Sequence, residues 1–110
     1  MVEDIKSVYG FIEKVAEKGK IVKGVNEVTK HIERGNAKLV VSAQDVDPKE
    51  IVMHLPILCK EKGVPFIEVP SKTELGKSAK LPVNCSSIAI IDFGGLDDEA
   101  KNIIEKLTNK

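Results

Sequence analysis

Val2, Ile5, Val8, Ile12 and Val15 recur at three- and four-residue intervals and stop before Gly19, the apolar stripe of an amphipathic helix. "KIV" follows as a short strand candidate at 20–22. Between Lys23 and Gly35 the helical period returns, with Gly35 in the position that commonly follows a helix end. "KLVVSA", Lys38 to Ala43, is an apolar run of strand length and reads as a strand in the middle of a sheet. Asp47, Pro48 and Glu50 then supply a cap, a first-turn proline and a capping-box carboxylate. The helix they open carries Ile51, Leu55, Leu58 and Cys59 as its buried stripe and closes at Gly63, with Pro56 expected to bend it. "FIEV" (66–69) reads as a strand, "TELGKSAK" (73–80) as a short helix and "SIAIID" (87–92) as another strand. Ala100, Ile103, Ile104 and Leu107 mark a last helix behind Asp97. The order α-β-α-β-α-β-α-β-α predicts an α/β fold whose central sheet is covered on both faces.

One helix poses a question of its own, because "KGVNEVTKHIERG" separates two faces cleanly. At about 100° per residue, with Asn26 at zero, Lys30 falls near about 40°, Arg34 near about 80° and Glu27 near about 100°. Val28, Ile32 and Val25 fall between roughly 200° and 260°. One face packs while the other displays four hydrogen-bonding side chains. Most charged helix faces are only solvated, and Glu27 with His31 or Lys30 with Arg34 can be incidental neighbours. Residue type points further. Asn and Glu at a helix start, flanked by Lys and Arg, suit the reading of base edges beside a phosphate backbone. An amide donates and accepts, a carboxylate accepts from the amino and imino hydrogens of guanine, and the cations hold backbone or carbonyl oxygens.

Composition narrows the alternatives. The chain has 110 residues, one domain's worth, read as a single unit over 1–110. Three Phe, one Tyr and no Trp leave the core to Val, Ile and Leu. Seventeen Lys and Arg balance seventeen Asp and Glu, so a nucleic-acid partner would have to be held by a local patch, not a global basic field. Cys59 and Cys85 form no CxxC pair, and with only two histidines they fit neither a zinc site nor a redox motif. Both read as small core residues in a reducing compartment. A charged N-terminal stretch and the lack of a long apolar run give the expectation of a cytoplasmic protein. Phosphate-loop, GxGxxG, GxSxG and HExxH signatures are missing, Gly94-Gly95 is too short for a dinucleotide fingerprint, and His31 and His54 read as surface residues. No catalytic group, metal or cofactor is expected.

The motifs "G-x-N-E-x-x-K…ERG" (24–35), "DVDPKEIV.HLP.LC" (45–59) and "VPSK.ELG" (69–76), continuing through "SSIAIID", carry a resemblance over nearly the whole chain. They resemble the archaeal kink-turn RNA-binding ribosomal proteins of the L-seven-Ae family. The resemblance implies a three-layer α-β-α sandwich around a central mixed four-stranded sheet, and a non-catalytic RNA binder. It implies contacts from Gly24, Asn26, Glu27 and Lys30 to the tandem sheared G·A pairs of a kink-turn, and from Arg34 to the backbone. Asp47 and Lys72 match positions near the extruded nucleotide and the backbone, although a helix cap alone explains Asp47. Leu81, Pro82 and Val83 match the loop that covers the protruding nucleotide; the plain alternative is a surface loop with Val83 turned to the core. The implied partners are rRNA in the large ribosomal subunit and box C/D guide RNAs, with box H/ACA and ribonuclease P particles as further settings. Proteins of the Nop5/fibrillarin type are implied beside them.

The chain departs from the family pattern at Val25, where a small or hydroxylated residue is usual, at Lys80, where glycine is common, and at Pro82, where a polar residue is frequent. Two rivals stand beside this reading: a ribosomal protein confined to one rRNA site, and a small enzyme of flavodoxin-like appearance. The missing phosphate loop weighs against the second.

Overall fold

A computed structural model describes residues 2–45, 53–81 and 86–108, with side chains over 8–45, 53–81 and 86–105. The elements run α1 (Val2–Lys18), β1 (Lys20–Lys23), α2 (Val25–Glu33), β2 (Leu39–Ala43), α3 (His54–Lys62), β3 (Phe66–Val69), α4 (Lys72–Ser78), β4 (Ser87–Asp92) and α5 (Asp97–Thr108). Their order is the one the hydrophobic pattern predicts. The proposed cap at Asp47, Pro48 and Glu50, together with Ile51, Pro82, Val83 and Cys85, lies outside the described residues.

The strands form one four-stranded sheet in the order β1-β4-β2-β3. β4 runs antiparallel to both β1 and β2, while β2 and β3 are parallel, so the sheet is mixed. β2 lies between β4 and β3 and is buried at every position, as its unbroken apolar run requires.

Period-two alternation divides the core between the two faces of the sheet. Leu39, Val41 and Ala43 of β2 face one side with Ile67, Val69, Ile88 and Ile90, against Val8, Phe11, Ile12 and Val15 of α1, Leu75 of α4 and Ala100 and Ile103 of α5. Val40 and Ala89 face the other side, against Val28 and Ile32 of α2 and Leu55 and Cys59 of α3. Among the described residues, α1, α4 and α5 therefore cover one face and α2 and α3 the other. This is a three-layer α-β-α sandwich.

Local chemistry sets the helix ends. Gly35 and Gly63 take positive φ beyond α2 and α3, where the Asn36 and Val64 N–H groups return to the carbonyls of His31 and Cys59. The helix expected at 73–80 instead occupies Lys72–Ser78, because the Ser71 hydroxyl accepts the Glu74 N–H at 3.2 Å and fixes its start. Pro56 falls in the first turn of α3, where a missing N–H costs no helical bond, so the expected bend has no cause there. Gly94 is required by packing: a Cβ there would collide with the Lys18 carbonyl at the end of α1. No described helix is long and apolar enough to cross a membrane.

Candidate nucleic-acid interface

Sheet register gathers separated stretches at one edge of the molecule. Lys23 at the end of β1 pairs with Ile88 at the start of β4, Ser42 pairs with Ser87, and Ala43 with Val69. The segments leaving β1, β2 and β3 and the segment entering β4 thus share an edge. Hydrogen bonds run along it: Gly24 N–H to the Ser87 carbonyl at 3.0 Å, Ala43 N–H to Ser86 at 2.9 Å, and Gln44 N–H to Val69 at 2.8 Å.

Gly24 turns the chain from β1 into α2 with φ 86° and ψ 146°, a combination essentially reserved for glycine. Its carbonyl accepts the Val28 N–H at 2.9 Å while its own N–H holds β4, so α2 hangs from the sheet at a fixed entry angle. Among the described residues no side chain caps α2, which leaves its first-turn N–H groups beside Asn26 and Glu27 without a side-chain acceptor there. Lys23, Gly24, Val25, Asn26 and Glu27 line an open depression of about 580 Å³ with His54 and Ser86 on its far side. Thr29 Oγ1 lies 2.8 Å from His54 Nε2, which braces α2 against α3.

Asn26, Glu27, Lys30 and Arg34 are all exposed, and Val28 and Ile32 are fully buried beneath them, as the angular argument requires. The Glu27 carboxylate lies between two nitrogens, Lys30 Nζ at 3.6 Å from Oε1 and His31 Nε2 at 3.9 Å from Oε2. His54 is exposed as expected, but His31 is not a surface residue: its side chain is only 16% exposed. At about 140° on the helix it lies on the seam between Glu27 and Val28.

Of the remaining candidates, the described ones, Lys72 and Leu81, belong to the opposite helical layer. Lys72 opens α4 at the shared edge, and its N–H donates to Asp45 Oδ1 at 2.8 Å. Asp45 was not among the sequence candidates, which named Asp47. Both acids sit in "DVD", and nothing in that local pattern singles out Asp45, whose partner lies on α4. Beside it the Ser71 N–H donates to the Tyr9 hydroxyl at 3.4 Å; burial, with help from Glu74 and Asp45, raises the Tyr9 pKa against the lowering effect of that bond. Leu81 is half-buried and packs against the larger core cluster, so it is not simply a surface loop residue. Lys80 before it adopts φ 63°, which supplies a physical reason for glycine being common there. Lys80 Nζ reaches Glu13 and Glu17 on α1 at 3.4 and 3.9 Å. Cys59 is buried as expected, and desolvation pushes its thiol up to about 11.

An α-β-α sandwich that hangs an uncapped, polar-faced helix from a sheet edge defines a class of small α/β binding domains. Residues 6–100 match the sequence profile of the Ribosomal protein L7Ae/L30e/S12e/Gadd45 family, and the chain belongs to that family. Among solved structures it is similar to the Giardia lamblia 15.5kD RNA binding protein, with 34% sequence identity and a TM-score of 0.92. That match covers 97% of this chain and 89% of the Giardia chain.

Proposed function

We propose that the chain is a non-catalytic RNA-binding protein that recognises and stabilises kink-turns, tandem sheared G·A pairs beside an extruded nucleotide, in rRNA and box C/D guide RNAs. Box H/ACA and ribonuclease P RNAs, a place in the large ribosomal subunit, neighbours of the Nop5/fibrillarin type and a cytoplasmic location belong to the same reading. The observation that carries it is the exposed arc of Asn26, Glu27, Lys30 and Arg34 on a helix whose Val28 and Ile32 are buried in the core on the other side. The name of the similar Giardia protein supports the RNA partner.

In this mechanism α2 enters the groove at the G·A pairs. Asn26 and Glu27 meet base edges, Lys30 and Arg34 meet carbonyl and phosphate oxygens, and Gly24 allows close approach at the helix start. A kink-turn exchanges between open and bent forms, and a protein that contacts only the bent form shifts that population by its differential affinity. Titration against a kink-turn RNA labelled at both ends for energy transfer, and against a control with the G·A pairs replaced by Watson–Crick pairs, tests the proposal. Protein-dependent bending of the first RNA alone is the expected result. Equal binding to both RNAs overturns it, and sequencing co-purified RNAs identifies the natural partners.

A further inference from the structure

His31 lies between the polar and apolar faces of α2. Its ring is mostly covered, and Nδ1 is buried with no hydrogen-bond partner among the described residues. A proton on Nδ1 would be an orphan donor in the interior, whereas a proton on Nε2 faces a carboxylate that can accept it. The ring proton of the neutral side chain is therefore placed on Nε2, the atom that faces Glu27 Oε2 at 3.9 Å. A small rotation of the half-exposed Glu27 side chain brings that separation into hydrogen-bonding range.

The two neighbours of Glu27 are not equivalent. Lys30, near Oε1, is half exposed on a flexible stem and can swing to a phosphate or base oxygen when RNA arrives. His31, near Oε2, has a mostly covered ring and far less room to move. We propose that His31 is a positioning residue: its Nε2–H holds one oxygen of the Glu27 carboxylate and leaves the other directed at the RNA. This rests on the RNA-binding reading above and assigns His31 no contact with RNA. Holding one oxygen removes rotamer freedom from Glu27 before binding, so less is lost when the base contact forms.

The test is a coupling measurement with the kink-turn and Watson–Crick control RNAs. His31→Leu keeps an apolar body on the seam and removes the donor; it should weaken kink-turn binding by roughly three- to tenfold while leaving the control unchanged. His31→Gln, whose amide can donate, should restore most of the loss. In a Glu27→Ala background the same His31→Leu change should cost less than about twofold, because nothing remains to be positioned. A purely structural histidine would instead lower thermal stability in both backgrounds and leave the affinity of the folded protein unchanged. Unchanged affinity, or an equal loss with and without Glu27, overturns the inference. Nitrogen-15 imidazole NMR of the unsubstituted chain provides a check that no folding defect can confuse: a proton found on Nδ1 of the neutral ring also overturns it. A wild-type chain that does not prefer the kink-turn RNA overturns the underlying RNA reading instead.

Discussion

Replacing Gly24 with L-alanine isolates the backbone geometry that aims α2. A Cβ added at Gly24 meets no atom of the described residues within 4 Å, so the cost of the substitution is the conformation itself. An L-residue held at φ 86°, ψ 146° pays on the order of 1–3 kcal/mol. Reduced freedom in the unfolded chain returns about 0.4–1 kcal/mol of this. The net expectation is a loss of about 1–2 kcal/mol, and at roughly 4 °C per kcal/mol for a domain of this size Tm should fall by roughly 4–8 °C. D-Alanine, introduced by chemical synthesis, has the opposite handedness and should leave Tm unchanged or raised. Thermal unfolding followed by circular dichroism measures both variants, and RNA titration well below Tm shows whether L-alanine also swings Asn26 and Glu27 out of place. Equal losses for the two enantiomers would refute the argument from handedness.

Glu27→Gln should weaken kink-turn binding by on the order of 1–3 kcal/mol, a scale borrowed from bidentate base contacts, whereas Glu33→Gln, outside the arc, should have little effect; equal affinities at fixed salt would sink the assignment. Lys80→Gly should be more stable than Lys80→Ala by about 1 kcal/mol, since both lose the exposed ion pairs to Glu13 and Glu17 but only glycine relieves the left-handed backbone. Urea unfolding decides it, and an alanine variant as stable as the glycine one refutes the strain argument. Leu81→Ala should reduce stability by on the order of 1–2 kcal/mol through lost packing, and should lower affinity similarly whatever base occupies the extruded position. An RNA panel in which all affinities stay unchanged would leave Leu81 with a core role only.

The fold was legible because its periods are clean. Five consecutive buried residues in β2 and the separated faces of α2 follow directly from sequence pattern. The order β1-β4-β2-β3 depends on pairing between distant strands, which no local period encodes. The exposed arc was readable from helical angles alone, but the depth of His31 was not. A residue on a seam is buried or exposed according to how closely the next layer approaches. Asp45 was missed for a related reason: its partner N–H lies 27 positions away, and nothing local separates it from Asp47. The Ser71 and Glu74 capping box was present in the sequence and would have placed the start of α4 correctly.

The two outer strands of the sheet bear on how the protein behaves when concentrated. Net charge is zero, with a pI of about 6.7, so long-range repulsion does little to keep copies apart near neutral pH. The open borders of β1 and β3 are each four residues long, too short to template an extended ladder. β1 exposes Lys20 and Lys23 at its two ends, and β3 exposes Glu68 near its centre. These few charged positions oppose edge-to-edge stacking of a chain whose overall charge is balanced.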